Sequence, residues 1–236
     1  LDYGPFGFCE LFDPRFQPWT GGGAHFSFFN QPMAAEANYR MFWKSLRTLM
    51  EDDSEAQEQL DQLQGGFAAA MQQQLEDMWA RKLGLAAYDE ALISELLQLL
   101  VASRADYTRV FRLLCAIPEH PAELHAGFYL PCSEELDAQW LLWLQRWRAL
   151  ITTNGSFEAT TVAMQRVNPA ITWREWLIAP AYQQAELGDN GLIQELQTLF
   201  RTPYDTPTAD LAAGYDQLRP RQFFSAGGIS HYSCSS

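Results

Sequence analysis

From about residue 38 onward the hydrophobic positions recur at three- and four-residue spacing, and no stretch alternates convincingly at the two-residue period of a half-buried strand. The pattern predicts helices. Between Asn38 and Met50 the apolar positions are Met41, Phe42, Leu46, Leu49 and Met50, and the acidic run Glu51-Asp52-Asp53-Ser54 breaks the helix. Ser54 with Glu55 and Gln57 has the form of a capping box, so a second helix is expected toward Leu63. Gly65-Gly66 interrupts it. Phe67 to Arg81 places Phe67, Met71, Leu75, Met78 and Trp79 on one side, beside a polar Gln72-Gln73-Gln74 flank. Lys82-Leu83-Gly84-Leu85 closes that helix, with Gly84 available as a left-handed cap.

A helix from about Asp89 to Ser103 carries Leu92, Ile93, Leu96, Leu97, Leu99 and Leu100, an apolar face of core width. Asp106-Tyr107-Thr108 caps another through Phe111 to Cys115. Residues 118–131 are punctuated by Pro, His and Gly and read as a loop. Ser133 with Glu134 and Glu135 starts a helix in which Leu136, Trp140, Leu141, Trp143, Leu144, Trp147, Leu150 and Ile151 form an aromatic stripe that belongs to a core rather than a cofactor box. Asn154-Gly155 signals a turn. Asn168-Pro169 reads as an N-cap followed by proline at the first helical position. Arg174, Trp176 and Leu177 follow, Pro180 falls where it should kink the helix, and Gly188-Asp189 ends it. A last helix is expected from Leu192 to Phe200 before the stop Pro203-Tyr204, and residues 205–236, rich in Pro, Gly and Ser, read as a tail. The fold class is mainly α.

Composition narrows the functions. The 236 residues are 47% hydrophobic and 14% aromatic, ample for a packed core. A formal charge of -13 argues against a nucleic-acid surface, because phosphate binding needs clustered Lys and Arg. No apolar run reaches the roughly 18 to 20 residues of a membrane-spanning helix. Cys9, Cys115, Cys132 and Cys234 lack C-x-x-C spacing, which suggests neither a zinc cluster nor a disulfide framework and makes a reducing compartment the expectation. His120 and His125 lie in a loop around Pro121 without an acid-His-acid pattern around them and read as surface histidines.

The opening stretch Leu1-Asp2-Tyr3-Gly4-Pro5-Phe6-Gly7-Phe8 is unlike the rest: an acid stands among glycines and aromatics. Asp2-Tyr3-Gly4 has the form of the kinase D-F-G element, whose Asp ligates magnesium on nucleotide phosphates. Asp13-Pro14-Arg15-Phe16 and Phe28-Phe29-Asn30-Gln31-Pro32 follow. Lys-Leu-Gly-Leu at 82–85, Ala-Asp-Tyr-Thr at 105–108, Asn168-Pro169, Arg174, Gly188-Asp189, Pro203-Tyr204 and the terminal Ser233-Cys234-Ser235-Ser236 come in order behind them. Together these resemble the selenoprotein O family of kinase-like protein adenylyltransferases.

The resemblance implies the helical C-lobe of a protein-kinase-like fold with additional family-specific helices, without the sheet-rich N-lobe. Residues 1–32 would form the metal-binding element and an activation-segment-like loop, 33–204 the helical lobe, and 205–236 the tail. It implies transfer of AMP from ATP to Ser, Thr or Tyr hydroxyls of protein substrates. Magnesium, or manganese, would be held by Asp2, which would also contact the nucleotide. The catalytic Asp, the second metal ligand and the phosphate-binding Lys and Arg would belong to a missing N-terminal half, so this stretch alone is expected to be inactive. A kinase-like phosphotransferase and a helical interaction module remain alternatives. The implied location is cytoplasmic, or mitochondrial in a eukaryote. The family's antepenultimate cysteine pairs with a cysteine of the activation segment; that partner position falls near Pro18 here, leaving Cys9 as the only nearby candidate for Cys234.

Overall fold

A computed structural model describes residues 9–16, 27–152 and 155–224. Among them lie ten α-helices and only isolated β-bridges. The chain divides into two units, residues 1–7 with 14–78, and residues 8–13 with 79–236.

In the first unit a 3₁₀ turn, Phe28–Asn30, leads into α1, Gln31–Thr48. This helix starts seven residues before the apolar periodicity becomes visible, because Pro32 suits the first turn, where no amide partner is needed. α2, Ser54–Gly65, is capped by Asp53, whose carboxylate accepts from Ala56 N at 3.0 Å. The expected Ser54 cap is therefore displaced by one residue: Asp53 offers the same acceptor one step earlier, and Gln57 donates instead to Met50 O at 2.8 Å. α1 and α2 pack together, and Asp61 of α2 accepts from Trp43 Nε1 at 3.0 Å and from Arg47. α3, Phe67–Lys82, begins in this unit, where Phe67 stacks on Tyr39 at 4.7 Å, and its last turn counts with the second unit.

The second unit is built on α4, Glu90–Ala102, and α6, Glu134–Thr152. Trp140, Trp143 and Trp147 repeat at helical spacing on one face of α6 and are fully buried. Each indole must then find an acceptor inside the protein. Trp140 Nε1 donates to Ser103 Oγ at 2.7 Å, Trp143 Nε1 to Leu92 O at 2.8 Å and Trp147 Nε1 to Leu83 O at 2.8 Å. With Leu144 and Ile151 the three tryptophans are core, as their spacing predicts, while Leu150 of the same stripe is exposed.

Asp89 caps α4 and Asp106 caps α5, Tyr107–Leu114. Gly84 has φ +65, the left-handed cap read from the sequence, and a Cβ there would stand 2.5 Å from Thr160 Cγ2 of α7, Phe157–Gln165. Pro121–Gly127, read as loop, forms a 3₁₀ turn whose end approaches α5 so closely that a Cβ on Gly127 would meet Val110 Cγ2 at 2.7 Å.

Asn168-Pro169 starts no helix. The next helix, α8, Glu175–Glu186, begins six residues after Pro169 and contains Pro180. Asn168 does not cap because its side chain is buried and committed elsewhere: Lys82 Nζ donates to its Oδ1 at 2.8 Å, and its Nδ2 donates to Lys82 O at 2.8 Å. Arg112 fastens the same turn, donating to Gln165 O, Asn168 O and Tyr204 O at 3.1 to 3.3 Å.

α8 packs on α9, Gly191–Leu199, around Trp176, Leu177, Ala181 and Leu196. Residues 205–224, read as tail, carry α10, Ala209–Tyr215, and a 3₁₀ turn, Arg221–Phe223. Tyr215 and Phe223 join the α8–α9 cluster, so this part of the chain supplies apolar cover. No helix among the described residues is long and apolar enough to cross a membrane.

Candidate functional site

Asp2, the metal and nucleotide ligand expected from the sequence, lies outside the described residues, as do Pro18 and Cys234. Cys9 is described, and it is buried. Its thiol donates to Leu11 O at 3.1 Å, and burial pushes it up to about 12. So little thiolate at neutral pH makes Cys9 a poor partner for disulfide exchange while it stays in place.

The segment that follows the opening stretch is anchored by a buried ionic cluster. Three short pieces of chain pair side by side. Phe12 N donates to Ala105 O at 2.7 Å and Tyr107 N to Glu10 O at 2.8 Å, while Asp106 N donates to Gly127 O at 2.7 Å and Tyr129 N to Arg104 O at 3.1 Å. This places Asp106 in the middle strip, wholly buried, at the N-terminus of α5.

Its carboxylate is fully used. Oδ1 accepts from Arg109 N at 3.0 Å and from Arg174 Nη2 at 3.1 Å; Oδ2 accepts from Arg174 Nη1 at 2.5 Å and from the Tyr129 hydroxyl at 3.3 Å. Arg174, 1% exposed, also stands 3.7 Å from Glu10 Oε2. Glu10 Oε1 accepts from Glu175 N at 3.0 Å, and the Glu175 side chain pairs with Arg219 at 2.9 Å. Arg219 N in turn donates to the Tyr129 hydroxyl at 3.2 Å.

The electrostatics follow from burial. Glu10 is held above the usual carboxylate range chiefly by desolvation, with Arg174 and Arg219 pulling the other way. The Tyr129 hydroxyl is raised by burial and by Asp106, so it remains a donor at neutral pH. Glu10 Oε2 and Arg174 Nε accept or donate no hydrogen bond, so the cluster is tight at Asp106 and looser at Glu10. Such an arrangement positions a loop.

Arg174 and Asp106 were both visible in the sequence, but as separate motif residues. Glu10, Tyr129 and Arg219 were not. The signal for Glu10 is an acid embedded in the apolar run Phe8-Cys9-Glu10-Leu11-Phe12, which requires a buried partner without naming it.

Among the described residues, the group of three side chains able to share a metal ion is His125, Cys132 and Asp137. His120, read with His125 as a surface histidine, is not in it; its backbone N donates to Glu123 Oε1 at 2.9 Å. Nitrogen and sulfur donors do not suit magnesium, which takes oxygen ligands, so this group is not the metal centre expected at Asp2.

Taken together, the described chain is a helical scaffold that clamps the segment following an Asp-Tyr-Gly element. A family model for protein adenylyltransferase SelO matches residues 1–202. The chain belongs to that family. It is 34% identical over 247 residues to the protein nucleotidyltransferase YdiU of Xanthomonas axonopodis pv. citri and 32% identical over 246 residues to that of Xanthomonas oryzae pv. oryzae. To the one from Salmonella enteritidis it is 32% identical over 241 residues. These alignments run along all of this chain and 46 to 47% of the relatives, so the chain spans about half the length of the curated relatives it matches.

Proposed function

We propose that the complete protein transfers AMP from ATP to Ser, Thr or Tyr hydroxyls of other proteins, and that this chain is the helical C-lobe of its kinase-like fold. The observation that carries the reading is the family match over residues 1–202, which includes Asp2-Tyr3-Gly4. Magnesium bound there would neutralise the triphosphate oxygens during transfer. Asp2 is its carboxylate ligand from this chain. Glu10, Asp106 and Arg174 act at a distance from the chemistry: they hold residues 9–13 to the helices, and Asp2 is only eight residues before Glu10, at most about 28 Å of extended chain.

The test is labelled ATP offered to the complete protein with magnesium and a protein acceptor. Label from the α position, and none from the γ position, is expected in the acceptor. The reverse pattern means phosphoryl transfer and overturns the assignment; label from neither favours a helical interaction module. Asp2→Ala should abolish incorporation while leaving the far-ultraviolet circular dichroism unchanged, and retained turnover would remove Asp2 from the site.

A further inference from the structure

Three consecutive short elements bring His125, Cys132 and Asp137 to one place. His125 is near the end of the 3₁₀ turn Pro121–Gly127, Cys132 is in the loop before α6, and Asp137 is in the first turn of α6. One ligand atom from each lies within 4.8 Å of the others, and His125 Nε2 is 2.8 Å from Asp137 Oδ1. We propose that these three side chains form a site for a zinc-type divalent transition metal, separate from the magnesium chemistry expected at Asp2.

The donor set argues for this class of metal. Imidazole nitrogen, thiolate sulfur and carboxylate oxygen together suit zinc, whose ligand bonds of about 2.0 to 2.3 Å set tetrahedral ligand atoms roughly 3.3 to 3.8 Å apart. His125 and Asp137 need to part by about half an ångström, and Cys132 to close by at most roughly 1.3 Å, to meet that geometry. His125 and Asp137 keep 42% and 35% of their side chains exposed, which leaves an entry path and room for water as the fourth ligand.

The sulfur is also supported from behind. Ser103 and Asp137 both have side chains beside the Cys132 thiol. Ser103 is itself buried and fixed by Trp140 Nε1 at 2.7 Å, so one ligand is oriented through the tryptophan core. An outer partner of this kind is a regular part of metal sites. On binding, the Cys132 thiol gives its proton to solvent and the thiolate takes the metal. The bound ion would clip the 128–133 loop to α6 without any oxidation or reduction.

The experiment is titration of the complete protein, stripped with chelator, with cobalt(II) and then zinc(II). One cobalt per chain is expected, with a thiolate-to-cobalt charge-transfer band that zinc displaces. Cys132→Ser should abolish the band, and His125→Ala and Asp137→Asn should each weaken cobalt binding. Ser103→Ala should weaken it about 10- to 100-fold while leaving the band in place at saturation. Because His125 is exposed and Cys132 and Asp137 are only half-buried, their variants should melt close to the metal-free parent, and only the parent should gain melting temperature with zinc. Absence of the band, or a band equally strong in Cys132→Ser, would overturn the proposal; the latter would assign binding to another thiol.

Discussion

Replacing Arg174 by Met removes the guanidinium and keeps most of the side-chain volume. Asp106 then loses two charge-assisted hydrogen bonds, at 2.5 and 3.1 Å, and Glu10 loses its cation at 3.7 Å. Both carboxylates stay buried, Asp106 wholly so. Hydrogen bonds to charged groups contribute about 1.5 to 3 kcal/mol each, and removing one partner of a buried pair costs about 3 to 5 kcal/mol. The two routes agree on about 4 kcal/mol, and because the shift per kcal/mol falls as a chain lengthens, the complete protein should lose fewer degrees than the roughly 8 to 16 °C of a domain of 236 residues. Thermal and urea unfolding of the complete protein measure it. The double variant Asp106→Asn/Arg174→Met should recover a large part of the loss, because Asn still caps α5 and no longer carries charge. A loss below about 1 kcal/mol for Arg174→Met, or a double variant worse than the sum of its singles, would refute the account of the cluster.

Lys82, its ammonium 4.3 Å from the Phe111 ring centre and bonded to Asn168, is lowered to about 8 by burial. At Lys82 the unfolded chain therefore binds more protons between about pH 8 and the ordinary lysine value near 10.4, so this residue's contribution to stability rises across that window while the raised Cys9 and Tyr129 pull the other way. Lys82→Met should therefore make stability fall more steeply with pH there, as urea midpoints against pH will show, and an unchanged slope would refute it. Glu10 titrates in the opposite sense. Its raised carboxyl stabilises the folded state below the ordinary value near 4.3 and that contribution is lost as pH climbs through the folded value, so Glu10→Gln should flatten the decline; an unchanged profile would mean Glu10 is better solvated than its burial implies. Gly84→Ala combines a left-handed backbone with a 2.5 Å approach to Thr160 Cγ2. The conformational cost of about 1 to 2 kcal/mol and an overpacking cost of about 1 to 3 predict a loss near 3 kcal/mol by thermal unfolding, and a loss under about 1 would show that α7 yields freely.

Helices with one strong apolar face were legible in the sequence because their period is local. The α4 face, the α6 tryptophan stripe, the Asp106 cap and the Gly84 cap all depend on residues within a few positions of one another. What was not legible depends on distance along the chain. Asn168 looks like a cap when read with Pro169, but its partner is Lys82, 86 positions away. Residues 205–224 look like a tail because their few apolar side chains have no period; Phe223 becomes core only where α8 and α9 offer a face. Glu10 stands 165 positions from the backbone amide it accepts from. Likewise His125, Cys132 and Asp137 have no familiar ligand spacing, and only the turn before α6 folds them together.

The motif residues behind the resemblance have a common physical character. Lys82 and Asn168 bond reciprocally, and Asp106 and Arg174 form a buried bidentate pair. In each pair, changing one member leaves the other buried without its partner, a cost of several kcal/mol for the charged pair. The fold requires both members of each pair, whatever reaction the protein performs. Likeness at these positions therefore identifies the scaffold and the family, and it bears on chemistry only through what the scaffold holds. Under the proposed function that burden falls on Asp2. A variant that unclamps the following segment, such as Arg174→Met, should lower activity in proportion to lost folded protein and retain full turnover per folded molecule if the clamp is purely structural. Turnover that falls further than the folded fraction would mean that the clamp also sets the position of Asp2.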